Sequence, residues 1–300
     1  MKFVTFARGA AQSVGLWLDD KGVLDLALAA ELSGETLDAS SMIALISGGA
    51  AALKTVRALA AKPPADAVYP ASEVKLLAPI PRPAKNVFCV GRNYMEHVHE
   101  GDRMFDRAST LPTVPNFFSK TPTTVTGPDS DVRYPSKITQ AFDYEIELGV
   151  IIGKGGRDIP LDQALDHVFG YTIINDVTAR DLQRTHVQWF KGKTLDTTCP
   201  MGPWIVSPDE IGDPSGLELV LTLNGKQRQR ATTDMMIFDV PAIIQSLSAG
   251  LTLEPGDVIA TGTPSGVGYA MEPKGMLKDG DIMECRISKI GLLRNKVVEV

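Results

Sequence analysis

The run Asp143-Tyr144-Glu145-Ile146-Glu147-Leu148-Gly149-Val150-Ile151-Ile152 reads as a β-strand. Side chains alternate faces along a strand with period two. Tyr144, Ile146, Leu148, Val150 and Ile152 therefore share one apolar face, and Glu145 and Glu147 share the other with Gly149 and Ile151. Two steps of about 3.3 Å set the two glutamate backbones about 7 Å apart, so their side chains can converge on one cation. Without a cation, two close carboxylates in a half-buried site repel and one takes up a proton. The alternative is an exposed strand with both acids in solvent. A third acid, Asp176, follows a second apolar run, Tyr171-Thr172-Ile173-Ile174-Asn175. There the strand gives way to a helix expected over 178–188, with Thr178 and Asp181 spaced as a capping box. Three carboxylates without thiolate or imidazole suit Mg2+ or Mn2+ and do not suit zinc.

Around this cluster the chain has the composition of a globular protein. Its 300 residues are 44% hydrophobic and 22% charged, which excludes a disordered or fibrous chain. At that length one or two domains are expected. The net charge of −6 and the 6% aromatic content give no footprint for nucleic acid or anionic lipid. Three scattered cysteines, Cys89, Cys199 and Cys285, suit neither a disulfide framework nor a structural zinc site, and point to a reducing cytoplasm. The first twenty residues read as short strands and not as a signal peptide. No apolar stretch is long enough for a membrane-spanning helix.

Residues 1–75 read as a small N-terminal α+β domain, with strands over 2–6 and 14–18, a turn at 19–22, and helices over 27–32 and 42–60. Pro63-Pro64 breaks the pattern, and Pro79-Ile80-Pro81-Arg82-Pro83 is a stiff connector. This part gathers no acids, bases or metal ligands, and reads as a packing or dimerisation domain. Residues 76–300 hold strands over 86–90, 116–119, 143–153, 170–177, 257–261, 281–287 and 297–300. They also hold a hairpin over 217–231 with a type I′ turn at Asn224-Gly225, and a helix over 240–249. Strands outnumber helices and do not alternate strictly with them, so the fold class is mixed, β-rich α+β. The polar stretch 101–112 shows little periodicity and reads as a surface loop of the kind that forms lids.

Several other residues are candidates for chemistry. His97 and Glu100 stand i and i+3 on a short amphipathic helical turn, where a carboxylate can orient an imidazole and join it in moving a proton; an exposed surface pair is the alternative. His167 reads as solvated beside Asp162 and Asp166. Lys193, after Gln188-Trp189-Phe190-Lys191-Gly192, and Lys120, at a strand end, could hold an anionic substrate or be surface charges. Thr261-Gly262-Thr263-Pro264-Ser265-Gly266-Val267-Gly268 lacks the ending of a P-loop. It reads as a tight turn or as a loop whose N–H groups face a carboxylate.

Taken in order, GRNYMEHVHE (91–100), FFSKTPT (117–123), DYEIELGVIIG (143–153), NDVTARDLQ (175–183), FKGKTLDTTCPMGPWIV (190–206), LNG (223–225) and GDVIATGTPSGVG (256–268) resemble the fumarylacetoacetate hydrolase superfamily. The resemblance runs from about residue 76 to the end, and the subgroup with a small N-terminal domain is most similar. It implies a mixed β-roll catalytic domain of fumarylacetoacetate hydrolase type, a bound divalent metal and a homodimer. It implies Glu145, Glu147 and Asp176 as metal ligands and His97 with Glu100 as the proton-moving dyad. Arg92, Lys120, Gln183, Lys193 and Thr263 would line the substrate site, with Lys193 adding charge near a developing oxyanion. The segment 101–112 would order over a ligand. The implied activity is metal-dependent hydrolysis of a carbon–carbon bond in 2,4-dioxo acids of the acylpyruvate or fumarylpyruvate type. Oxaloacetate decarboxylation, a 2-hydroxymuconate-type isomerisation or decarboxylation, and a non-catalytic binding module are the alternatives. The expected partner is a small 2-oxo acid.

Overall fold

The computed structural model describes residues 1–19, 21–104 and 110–300. β1 (Lys2–Arg8) and β2 (Ala11–Leu18) form an antiparallel pair whose Phe3, Phe6, Val14 and Leu16 are buried. β3 (Gly22–Asp25) lies beside β2. Asp25 then caps α1 (Leu26–Ser33) by accepting from Leu28 N at 3.1 Å, which satisfies one of the unpaired N–H groups of a helix start. The helical stretch expected over 42–60 is two helices, α2 (Met42–Ser47) and α3 (Gly49–Ala61). Gly49, at φ 56°, interrupts the run between them. The short strands β4 (Val68–Tyr69) and β5 (Lys75–Leu76) pair with β3 and β1.

β6 (Val87–Gly91) leads into α4 (Met95–Met104). The loop expected from residue 101 thus begins later: 101–104 complete this helix, 110–112 are irregular, and 105–109 lie outside the described residues. β7 (Asn116–Lys120), β8 (Val125–Thr126) and β9 (Asp131–Tyr134) follow. The strand expected over 143–153 is split into β10 (Phe142–Asp143) and β11 (Ile146–Ile152). Between them the N–H of Tyr144 is taken by the Asp143 side chain at 3.0 Å, and that of Glu145 by Asn175 Oδ1 at 3.0 Å, so neither joins a ladder. β12 (Val168–Asn175) and β13 (Thr178–Ala179) precede α5 (Arg180–Thr185), which is shorter than the helix expected there. No capping box forms. Thr178 pairs with Asp143 in β13, its hydroxyl donates to Asp176 O at 2.8 Å, and Asp181 accepts from Thr139 and Gln140.

α6 (Phe190–Lys193), β14 (Cys199–Val206) and α7 (Pro208–Ile211) come next. β15 (Glu218–Leu223) and β16 (Lys226–Thr232) form the expected hairpin, with Asn224 at φ 51° and Gly225 at φ 74°. α8 (Val240–Ser248) buries Val240, Ile243, Ile244 and Leu247, the i, i+3, i+4, i+7 stripe of an amphipathic helix. β17 (Val258–Ala260), β18 (Ile282–Ile287) and β19 (Gly291–Glu299) complete the elements.

The large mixed sheet runs β4-β3-β2-β1-β14-β12-β11-β17-β6-β7, and a second sheet runs β16-β15-β18-β19-β9. β11 lies antiparallel between β12 and β17 and is buried on both faces, which explains its near-continuous apolar sequence. Ile146, Leu148, Val150 and Ile152 enter one core cluster and Ile151 enters the other, as the period-two reading requires. Gly149 is needed there because a Cβ would stand 2.8 Å from Thr172 Cγ2. β1 hydrogen-bonds to β14, and the second cluster gathers Phe3, Leu45 and Val56 with Val87, Ile151 and Ile205, so sheet and core both cross residue 75. His167, expected in solvent, is buried, and its Nδ1 lies 2.7 Å from Lys154 O. The three cysteines are unpaired and buried. Among the described residues, no helix is long and apolar enough to cross a membrane.

Candidate active site

Glu145 stands in the break between β10 and β11, Glu147 lies within β11, and both are buried. Asp176 is delivered by the end of β12, where its N–H donates to Glu145 O at 2.8 Å. The three acids are 4%, 1% and 0% exposed, which removes the solvent-facing alternative. Each offers one oxygen, and these oxygens lie within 4.8 Å of one another.

Cations crowd the same place. Lys193 Nζ stands 2.7 Å from Glu145 Oε2 and 2.6 Å from Asp176 Oδ2. Lys120 Nζ stands 2.8 Å from Asp176 Oδ1 and also donates to the carbonyls of Val177 and Lys193. Arg180 bridges Glu145 Oε1 at 2.7 Å and Asp143 Oδ2 at 2.9 Å. Asp143, fully buried, also accepts from the N–H groups of Gly268 and Tyr269 at 2.8 and 3.0 Å. Four carboxylates thus face three cations. Glu147 is the acid without a cation beside it; it accepts from Gly262 N at 2.8 Å.

These surroundings set the charges. Burial, then the negative charges of Asp176 and Glu145, push the Glu147 carboxyl well above the usual range. Burial acts the same way on Glu145, but Arg180 and Lys193 outweigh it and hold that carboxyl low. Burial works against the Lys193 ammonium, and Asp176 and Glu145 more than restore it, so its pKa is raised. The acid set fits a divalent cation on three grounds. The ligands are three hard oxygens. One carboxylate is left without ionic compensation. Asp176 Oδ1, though close to Lys120, makes no aligned hydrogen bond.

Above the acids lies a cleft of about 280 Å³. Glu145, Glu147, Lys193 and Arg180 line it, as do Arg92, His97, Gln183 and Thr263. His97 Nδ1 stands 3.2 Å from Glu100 Oε2, within hydrogen-bond reach. Glu100 Oε1 in turn accepts from Gly266 N at 3.0 Å. The glycine-rich loop therefore does present N–H groups to carboxylates, those of Glu147, Glu100 and Asp143. Gly262, at φ 102°, is fixed by space as well, since a Cβ would lie 2.7 Å from Asn93 Cβ.

The structure thus gathers the residues singled out in the sequence, at different depths. Lys120 and Asp176 lie below the cleft floor and Glu100 behind His97. Arg92 is engaged by Asp102 at 2.8 and 3.0 Å, and Thr263 Oγ1 donates to Ile146 O at 2.9 Å. Sequence reasoning missed Asp143, Arg180 and Gln229. Gln229 is fully buried and ties the loop down through Thr263 Oγ1 and Pro264 O, both at 2.8 Å. Asp143 and Arg180 sit inside the motifs quoted above, but each finds its partner only when those motifs are folded together. Gln229, in a polar strand of the hairpin, gave no signal.

A mixed α+β fold that buries an acid cluster and its counter-cations beneath a small cleft is an enzyme architecture. The family described as fumarylacetoacetate (FAA) hydrolase C-terminal matches residues 86–298, and the chain belongs to this family. Oxaloacetate tautomerase YisK of Bacillus subtilis (strain 168) is 45% identical over 305 residues, covering 99% of this chain and 100% of the relative. The fumarylacetoacetate hydrolase structure of psychrophilic Exiguobacterium antarcticum superimposes with a TM-score of 0.82 at 38% identity, covering both chains completely. The 5-carboxymethyl-2-hydroxymuconate delta-isomerase structure of Mycobacterium smegmatis gives 0.76 at 32% identity, again with 100% of each chain covered.

Proposed function

We propose that the protein is a metal-dependent enzyme that moves a proton between the enol and keto forms of a small 2-oxo acid, with oxaloacetate as the first substrate to test. The observation that carries the reading is His97 facing the same small cleft as Glu145 and Glu147. Full-length similarity to a protein named oxaloacetate tautomerase supports proton transfer ahead of bond cleavage. Glu145, Glu147 and Asp176 would hold Mg2+ or Mn2+, which when bound supplies polarisation of the 2-oxo group.

The other residues have roles set by their contacts. Glu100 fixes the His97 ring through Nδ1 and leaves Nε2 for the exchangeable proton. In the keto-to-enol direction Nε2 takes a proton from C3. The C–H electron pair becomes the C2–C3 double bond, the carbonyl π pair moves onto its oxygen, and that oxygen then takes a proton from water while Nε2 returns its own to water. Lys193 and Arg180 set positive charge at the cleft floor, where that negative charge develops. The buried walls keep both cations in place without reorganisation.

A second reading, hydrolysis of 2,4-dioxo acids, is favoured by the same His97–Glu100 pair, because an oriented imidazole can also take a proton from water. Product analysis separates the two. With Mg2+ or Mn2+ present, enol–keto exchange of oxaloacetate without new carboxylic acid products supports the first. Release of pyruvate from acetylpyruvate or fumarylpyruvate supports the second. In either case His97→Gln should lower turnover by about a hundredfold or more. A rate within a few-fold of the parent enzyme contradicts the assignment of His97.

A further inference from the structure

Four cationic side chains line the cleft, and three are already matched to carboxylates. Arg180 and Lys193 face the acid cluster, and Arg92 holds Asp102 in a two-pronged pair. Arg184 differs. Its Nη1 donates to the Tyr269 hydroxyl at 3.0 Å, and among the described residues it forms no ion pair. A neutral hydroxyl engages one donor of the guanidinium and leaves the rest of its charge and its other donors unspent.

The position follows from helix geometry. Arg180, Gln183 and Arg184 stand i, i+3 and i+4 in α5, hence on one face, and all three line the cleft. Arg180 is at the buried end. Arg184 stands about one turn, or about 5.4 Å, further along, and is exposed. Tyr269, which orients it, is itself held: its N–H donates to Asp143 Oδ2 at 3.0 Å, and Lys274 Nζ lies 3.9 Å from its ring centre. Lys274 also forms no ion pair among the described residues. Among the described residues, a chain of net charge −6 thus places two cations without an ion pair beside Tyr269, which lines the cleft.

We propose that Arg184, oriented by Tyr269, binds the substrate carboxylate distal to the 2-oxo group, so that the enzyme selects dicarboxylic over monocarboxylic 2-oxo acids. This rests on the 2-oxo acid reading of the site and adds the substrate class to it. One end of the acid meets the cluster floored by Lys193 and Arg180, and the other meets the guanidinium one helical turn away. A two-pronged guanidinium–carboxylate contact is charge-assisted and directional, and a monocarboxylate forgoes it.

Enol–keto exchange of oxaloacetate and of phenylpyruvate, measured with Mn2+ present, tests this. Arg184→Met should raise KM for oxaloacetate about tenfold or more while kcat stays within about threefold and the phenylpyruvate constants hardly move. Arg184→Lys should recover part of the KM, and Tyr269→Phe, which removes only the orienting hydroxyl, should give a smaller rise in the same direction. An Arg184→Met enzyme that alters both substrates alike, or neither, overturns the proposal. If the parent enzyme turns over neither acid, the 2-oxo acid reading fails, and calorimetric binding of oxaloacetate and pyruvate then decides the subsite by itself. Tighter oxaloacetate binding that Arg184→Met abolishes supports it, and equal binding of the two acids, or selectivity unchanged in the variant, overturns it.

Discussion

Glu147 is the acid on which the cluster's charge balance turns. It has one N–H donor and no cation, and its carboxyl is pushed above its ordinary value of 4.5. A carboxyl with a raised pKa favours the fold at low pH, and that advantage is lost as pH rises from 4.5 through the raised value. Glu145, held low by Arg180 and Lys193, contributes in the opposite sense: its stabilisation is present above its ordinary 4.5 and lost as pH falls through the depressed value. Two predictions belong here. With its carboxyl raised above 4.5, Glu147 should give up a proton as a divalent cation binds, so Mn2+ binding followed by calorimetry should tighten as pH rises, with proton release; a pH-independent affinity contradicts this. Glu147→Gln should leave the metal-free melting temperature nearly unchanged, about 0.5 kcal/mol or less, because the glutamine replaces a group that is already neutral. Mn2+ should then no longer raise it. A large loss of stability in the metal-free variant would show that Glu147 is charged and paired. Lys193→Met is the contrasting case: it strips Glu145 and Asp176 of a buried partner and should cost about 3–5 kcal/mol in urea unfolding.

Elements position these residues, and residues with positive φ control two of the connections. Gly262 needs both its positive φ and its missing Cβ, whereas Asn224 in the β15–β16 turn needs a positive φ and a side chain that donates to Asp281 Oδ1 and accepts from Ile282 N. Gly262→Ala should therefore lose stability by about 2 kcal/mol or more and weaken Mn2+ binding, since its N–H is the donor to Glu147. Asn224→Ala loses those two hydrogen bonds as well as the φ preference and should cost about 2 kcal/mol, leaving Mn2+ affinity alone. Equal effects on metal binding would show that the loop does not hold Glu147. The same comparison shows what a sequence reveals. The Asn-Gly turn and the alternation around Glu145 and Glu147 are local patterns, and both were legible. The split between β10 and β11 was not, because it depends on Asn175, thirty residues away, taking the N–H of Glu145. Nor was the role of Asp181, whose spacing suggested a helix cap and whose carboxylate instead meets Thr139 and Gln140 across a loop. Asp143 and Arg180 escaped for the same reason: each finds its partner only when two distant motifs are folded together.

At the scale of the whole molecule, the N-terminal part is woven into the catalytic sheet. β1 pairs with β14, and Phe3, Leu45, Ile46 and Val56 pack with Val87, Ile151 and Ile205 in one cluster. The composition change near residue 75 was legible, but this shared interior was not, because strand pairing across the chain leaves no local mark. We expect a fragment of residues 76–300 to lose cooperative thermal unfolding, since each large apolar side chain left exposed forfeits about 1.5–3 kcal/mol of burial; a fragment that melts as sharply as the full chain contradicts this. The fold as a whole converges on three carboxylates from two strands beneath one cleft. Enol–keto exchange of oxaloacetate before chelation, after chelation, and after return of Mn2+ tests that arrangement most directly, in the parent enzyme and in Asp176→Asn. The account predicts a loss of about a hundredfold or more on chelation, recovered with Mn2+ in the parent and not in Asp176→Asn. Full exchange in the chelated parent, or in Asp176→Asn, would contradict it.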